Sequence, residues 1–314
     1  MSFKIDYGNA LDFYNSWDTP TVIVSDGPYG VGGYEGDPRS VDDLPNMYEP
    51  HVCEWARRAE PNTVLWFWNT EIGWATVHPI LRQHGWIYHG CNIWNKGLKH
   101  IAGNCNGKTM RQFPVVTEMC VQYVRQPYLK KIDEGLTAQQ WFRSEWLRTG
   151  LPLNRANEAC GVKNAATRKY FTSDSLFYPP PPDVFAKLVQ YANLHGDRER
   201  GPYFSIPQGL NLKEKGYWYR FNFEYGVSNV WDEPALRGKE RIKCGGKSLH
   251  LSQKPLRLME RIISASSDTG DVIWEPFGGL CTASLSANRL GRNSYAAEII
   301  HKYHSLAVER LNAG

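Results

Sequence analysis

The chain holds seven cysteines but no Cys-x-x-Cys pair and no cysteine set against histidine at zinc spacing. That excludes the common zinc modules, and no metal is expected. An odd, scattered set of thiols reads as the reduced core cysteines of a cytoplasmic protein, without a disulfide framework. No apolar run approaches the roughly eighteen residues of a membrane span, and the amino terminus lacks the apolar core of a secretory signal. Internal repeats are absent too. Charge is nearly balanced, with 36 Lys and Arg against 32 Asp and Glu, and the resulting +4 neither requires nor excludes nucleic acid.

What is present is a globular composition, 42% hydrophobic and 22% charged over 314 residues, long enough for two domains and a substantial core. The apolar run Thr21-Val22-Ile23-Val24 breaks into Ser25-Asp26-Gly27-Pro28-Tyr29-Gly30. Such a run predicts a buried strand that delivers a carboxylate and an aromatic ring to the carboxyl edge of a sheet, where open α/β sheets bind ligands. A carboxylate beside a backbone carbonyl can accept both N–H bonds of an exocyclic amine while the ring stacks on a planar base. Aspartate, glycine and proline together also make an ordinary turn, and by itself the segment fits that as well.

A second strand-and-turn lies near the other end, in Asp271-Val272-Ile273-Trp274-Glu275-Pro276-Phe277-Gly278-Gly279-Leu280-Cys281-Thr282. Ser284 to Leu290 is helix-compatible and Gly291 suits its end. A glycine turn between strand and helix lets a ligand approach the backbone closely. Ser294 to Ile299 reads as a further strand, and its Glu298 lies 19 residues beyond Gly279, a spacing common for an acid that binds ribose hydroxyls.

The first segment resembles the Asp-Pro-Pro-Tyr motif of DNA amino-methyltransferases, with Gly27 in place of the first proline. The second is similar to the cofactor motif Asp-Pro-Phe-x-Gly-Ser-Gly-Thr of the same family, with Glu275 for the aspartate and Cys281 for a glycine. Further matches follow in the family's order: Gly8-Asn9-Ala10-Leu11-Asp12, with Asn9 for an acid, Trp94-Asn95-Lys96, Val230-Trp231 with the basic stretch from Arg237 to Lys243, and His250-Leu251-Ser252-Gln253-Lys254-Pro255-Leu256. The catalytic motif precedes the cofactor motif, which is the circularly permuted β class, and the likeness covers about residues 5–125 and 225–312.

The resemblance implies an α/β, Rossmann-like, circularly permuted sheet and a bound S-adenosyl-L-methionine. It implies that Asp26, Gly27, Pro28 and Tyr29 hold the flipped base. It places the cofactor against Asn9, Ala10, Lys254 and Pro255 on one side, and against Glu275, Phe277, Gly279, Thr282 and Glu298 on the other. Aspartate at the head of the tetrapeptide favours adenine N6 over cytosine N4, where serine is usual. A catalytically inactive DNA-binding relative is the alternative, since Asn9, Gly27 and Cys281 depart from the pattern. Double-stranded DNA is the implied partner, with a cognate restriction endonuclease and a monomer or homodimer as further expectations.

Residues 126–225 fall outside the likeness and read as a largely helical target-recognition insertion between a catalytic half, 1–125, and a cofactor half, 226–314. From Lys130 to Lys169, eight basic residues face four acidic ones, a net charge equal to that of the whole chain. Such concentration suits a DNA-contacting face. Residues 154–162 and 164–170 read as helix, glycine turn and helix, which would set Lys163, Asn164, Thr167 and Arg168 at a major groove; a plain helical hairpin fits equally. After Tyr178 a proline run leads into an amphipathic helix over 184–192. Gly97 to Gln112 reads as a mobile loop whose Lys99, Lys108 and Arg111, with the preceding Lys96, would meet phosphates if it closed on DNA, or as a plain surface loop. Trp66 to Glu71 reads as core aromatics, with Trp68 and Asn69 as candidates to wall the pocket of the base.

Overall fold

The structure is a computed structural model that describes residues 2–33, 35–60, 62–101, 108–125, 136, 138–173, 177, 179–205, 221–222, 224–236, 238, 240–244, 247–249 and 252–313. Several sequence expectations lie outside the described residues: the centre of the Gly97–Gln112 loop, Lys130 and Lys131, Tyr178, Arg237, and His250 with Leu251. The chain divides into two compact units, Met1–Arg125 with Tyr219–Gly314, and Gln126–Trp218. No helix among the described residues is long and apolar enough to cross a membrane.

The strands of the first unit, in chain order, are β1 (Phe3–Tyr7), β2 (Val22–Ser25), β3 (Val64–Asn69), β4 (Ile87–Asn95), β5 (Thr117–Val124), β6 (Val230–Asp232), a short ribbon of β7 (Lys243–Cys244) and β8 (Lys247–Ser248), then β9 (Val272–Glu275) and β10 (Asn293–Glu298). Eight of them form one sheet in the order β1-β10-β9-β2-β3-β5-β4-β6. β1, β10, β9, β2 and β3 run parallel, and β5 is antiparallel to both its neighbours. β2 and β3 are buried along their whole lengths, as central parallel strands must be. From β9 the chain goes outward through β10, and from β2 it goes the other way through β3. The carboxyl ends of β9 and β2 therefore flank a topological switch point, the usual ligand crevice.

Helices cover both faces. The side of α1 (Leu44–Arg58) that carries Leu44, Tyr48, His51, Val52 and Trp55 is buried against one face, and α2 (Glu71–Gln83) joins it there. Thr70 caps α2, its side chain accepting from the Gly73 backbone N–H at 3.1 Å. On the other face, α7 (Leu256–Ser266) buries Leu258, Ile262 and Ile263, each worth about 2 kcal/mol of apolar burial. Trp68, Trp94 and Trp231 lie in that same layer. α8 (Thr282–Arg289) and α9 (His301–Asn312) complete the unit beside β10. The α/β permuted sheet expected from sequence is the one observed.

The second unit is helical among its described residues: α3 (Ala138–Arg148), α4 (Arg155–Ala159), α5 (Ala165–Tyr170) and α6 (Pro182–His195). It has its own core, built on Trp141, Phe142, Trp146, Phe171 and Leu188. α6 starts on Pro182, where a missing N–H costs nothing, and Gly161 turns the chain between α4 and α5 at φ 68°.

Candidate active site

Asp26 leaves the end of β2 at the switch point. Its Oδ1 accepts from Lys254 Nζ at 2.6 Å and from the Tyr29 hydroxyl at 3.0 Å. No hydrogen bond reaches Oδ2 from the described residues. Glu118, on antiparallel β5, comes into the same cluster, with its Oε2 3.1 Å from the Tyr29 hydroxyl and 3.4 Å from Lys254 Nζ. Lys96 closes the cluster by pairing with Glu118. Lys96, which would meet phosphate only if the following loop closed on DNA, is tied into this pair, its side chain only 13% exposed. Lys254, expected at the cofactor, lines the pocket and also bonds Asp26.

Two acids and two lysines sit together largely buried, so their protonation depends on their neighbours. Burial pushes Asp26 up, further than Lys254 pulls it back, and the charge of Glu118 adds to the rise. Burial also pushes Glu118 up, but Lys254 and Lys96 outweigh it and leave Glu118 below its ordinary range. Burial works against the charge on Lys254, and the two carboxylates more than restore it. Asp26 is thus the carboxyl readier to take a proton.

The turn itself is held from behind. One carboxylate, Asp37, accepts from the backbone N–H groups of Tyr29 and Gly30 at 2.8 Å each, Gly33 at 3.0 Å and Val31 at 3.2 Å. The Pro28 carbonyl accepts from the Tyr48 hydroxyl at 3.0 Å and from Asn69 Nδ2 at 2.9 Å. Gly27 has no room for a side chain, because a Cβ there would lie 2.6 Å from both the Tyr48 oxygen and Phe277 Cδ2. Glycine in place of proline is therefore matched to its surroundings. Asn69 supports the turn from below, whereas Trp68 is core, packed edge-on against Trp94.

Beside the turn opens a pocket whose lining includes Asn9, Ala10, Lys254, Phe277, Gly279 and Glu298. Asp26, Pro28, Glu275 and Thr282 line it as well, but Pro255 does not. Asn9 holds the entry turn, its side chain accepting from the Leu11 N–H at 3.0 Å. Glu298 accepts from Gly279 N–H at 2.6 Å and from Ile300 N–H at 2.7 Å, one on each oxygen, and burial raises its pKa. A Cβ at Gly278 would lie 2.9 Å from the Ala297 carbonyl oxygen, so the turn packs directly on β10.

Glu275 spends its extra methylene on the helix behind it. Its carboxylate accepts from the Ala283 N–H at 3.0 Å and from both the N–H and the hydroxyl of Ser284 at 2.7 Å, at the positive end of α8. Burial still pushes it up to about 7. Cys281 takes the left-handed conformation, φ 50°, at the α8 N-cap and is fully buried. A concave, acid-lined pocket with a backbone turn at its floor fits S-adenosyl-L-methionine, whose sulfonium and ammonium are cationic and whose ribose carries a diol.

In the second unit, Lys163, Asn164 and Arg168 are exposed around α5. Thr167 is turned inward: its hydroxyl donates to the Leu153 carbonyl at 3.1 Å and its N–H to Asn157 Oδ1 at 3.0 Å. Glu118 and Asp37 escaped the sequence reading. Neither stands in a motif, and only the strand order and the loop path bring them to Tyr29.

The profile of the N6/N4 methylase family, described as DNA methylase, matches residues 21–309. The type II methyltransferase M.HinfI of Haemophilus influenzae is 41% identical over 91 residues, which is 29% of this chain and 25% of that protein. M.ScaI of Streptomyces caespitosus is 36% identical over 160 residues, 50% of this chain and 48% of that protein. These matches thus span less than half the length of either relative. The crystal structure of the M1.HpyAVI–SAM complex superposes with a TM-score of 0.56 at 16% identity, covering 99% of both chains, a likeness of fold.

Proposed function

The chain belongs to the N6/N4 DNA methylase family, and on that premise we propose that it moves a methyl group from S-adenosyl-L-methionine to adenine N6 of a base flipped out of double-stranded DNA. One observation carries the reading. Lys254 and Tyr29 both bond Asp26 through Oδ1, so Oδ2 and the neighbouring Gly27 carbonyl, which has no partner among the described residues, are two acceptors for the two N–H bonds of an amine.

When bound, S-adenosyl-L-methionine supplies an electrophilic methyl on its sulfonium. Accepting the amine's N–H bonds favours a tetrahedral nitrogen and returns its lone pair from the ring. Asp26 then takes the proton that the methylated nitrogen sheds, a task its raised pKa suits. Lys254 favours the ionised form of Asp26 against burial, and Asp26 and Glu118 together keep Lys254 charged. With the Tyr29–Gly33 turn fixed on Asp37 and the Pro28 carbonyl on Tyr48 and Asn69, the acceptors need little reorganisation when the base arrives. Extruding the base costs a few kcal/mol, offset by its contacts in the site.

Adenine is favoured by aspartate at the head of the tetrapeptide, and Ser25, in β2, faces the opposite way. DNA recognition is assigned to the helical insertion, with Lys163, Asn164 and Arg168 on its exposed side. A cytoplasmic modification enzyme paired in function with a restriction endonuclease is the setting this implies. The test is transfer of labelled methyl to DNA followed by digestion to nucleosides. N6-methyladenine is expected; N4-methylcytosine would overturn the choice of base, and no labelled nucleoside would favour the inactive relative.

A further inference from the structure

His51 lines the pocket but has no part in the chemistry above. It stands on the inner side of α1, 4% exposed, with its ring centre 4.8 Å from that of Phe277. Its Nδ1 lies 2.8 Å from the Tyr14 hydroxyl, and that oxygen is 2.7 Å from Trp55 Nε1. An indole nitrogen only donates, so the Tyr14 oxygen accepts from Trp55 and has one proton to give. Donated to His51 Nδ1, that proton is satisfied. The opposite arrangement, with the imidazole donating to Tyr14, would leave a buried phenol proton with no acceptor among the described residues. The neutral ring therefore carries its own proton on Nε2, an atom without a partner among the described residues.

We propose that His51 is a cofactor-binding residue, which donates from Nε2 to a hydrogen-bond acceptor of bound S-adenosyl-L-methionine while Tyr14 and Trp55 fix its tautomer. Burial lowers the imidazole to about 4, so the ring adds no positive charge beside a sulfonium cation at neutral pH. Tyr14 is itself fixed, stacked on Trp274 with ring centres 5.1 Å apart, so the donor is pre-set before the ligand enters. This assignment rests on the methyltransferase reading.

Calorimetry with S-adenosyl-L-methionine on the full chain tests it. His51→Phe should weaken binding by about five- to tenfold, the effect of one lost hydrogen bond, and His51→Gln, which restores a donor at similar reach, should recover most of it. Nitrogen-15 NMR of the unsubstituted protein should find the Nε2–H tautomer and a shift of that proton when the cofactor is added. This second readout stands even if the phenylalanine variant fails to fold. Unchanged affinity in His51→Phe, or an Nδ1–H tautomer, overturns the proposal alone. Absence of cofactor binding by the unsubstituted chain overturns it together with the methyltransferase reading, and that outcome is distinct because no affinity then exists to compare.

Discussion

Lys254 Nζ lies 2.6 Å from Asp26 Oδ1 across 228 residues of sequence, and the same ammonium is 3.4 Å from Glu118. The segment expected at the cofactor and the turn proposed to hold the base are thus joined by one buried charge pair. Lysine is suited to this because three N–H donors radiate from one compact charge, and here they find Asp26, Glu118 and the Ser252 carbonyl.

Replacing Lys254 by methionine keeps the stem and removes the charge. Asp26 then loses the group that lowers its pKa, so the limb of the kcat–pH profile that rises with Asp26 ionisation should move to higher pH. The rate at neutral pH should fall about 100-fold. A profile with an unmoved limb would break the link between the two residues.

In the proposed mechanism, Asp26→Ala removes both an acceptor for the amine and the proton's destination. Methyl transfer should fall at least about 1000-fold while calorimetry finds cofactor affinity near its original value. Substantial residual activity would rule Asp26 out as the base-holding acid.

A methyl group at Gly27 meets the Tyr48 oxygen and the Phe277 ring at 2.6 Å. Gly27→Ala should therefore cost about 1–3 kcal/mol in urea unfolding and weaken cofactor binding, because Phe277 lines the pocket. Unchanged stability would mean that the turn relaxes freely.

Glu275 has its pKa raised from 4.5 to about 7 by burial, so the folded chain binds its proton more tightly than the unfolded chain does. The stability it contributes is complete below pH 4.5 and is lost as pH rises to about 7, by roughly 3 kcal/mol in all. The stability of the parent relative to Glu275→Gln should decline over that interval in urea titrations at successive pH values. A flat difference would show that the α8 N–H groups hold the carboxylate ionised throughout.

Neutralising Lys163 and Arg168 together should lower DNA affinity and make the plot of log K against log salt shallower by about one to two, with cofactor binding untouched. An unchanged slope would remove α5 from the DNA interface.

The parts of the site that were legible in the sequence are those where one short stretch carries its own signal. The run Thr21 to Val24 before Asp26 and the run Val272 to Glu275 before two glycines each announce a strand, a turn and a ligand edge, and both form as β2 and β9. Glu118 is the counterexample. Its neighbours Thr117 and Met119 give it the look of any half-buried strand residue, and its place beside Tyr29 follows only from β5 inserting antiparallel next to β3. His51 and Asp37 were hidden for the same reason: a helix face and a loop return decide what they touch. Thr167 failed in the opposite direction, because a hydroxyl near a helix start is as ready to bond a local carbonyl as to face solvent.

β2 and β9 are neighbours in the sheet, yet about 250 residues of chain are synthesised between Val22 and Val272. On the ribosome β2 must wait as an open strand edge, its Val22 and Ile23 backbone groups unpaired on that side, until the late segment emerges. A message cut short between β5 and β9 would yield a protein that carries Asp26, Tyr29 and Glu118 but lacks β9, leaving that edge of β2 open and the cofactor pocket unbuilt. An open, apolar strand edge of this kind invites aggregation and proteolysis, so such fragments are expected to be cleared without ever completing the pocket.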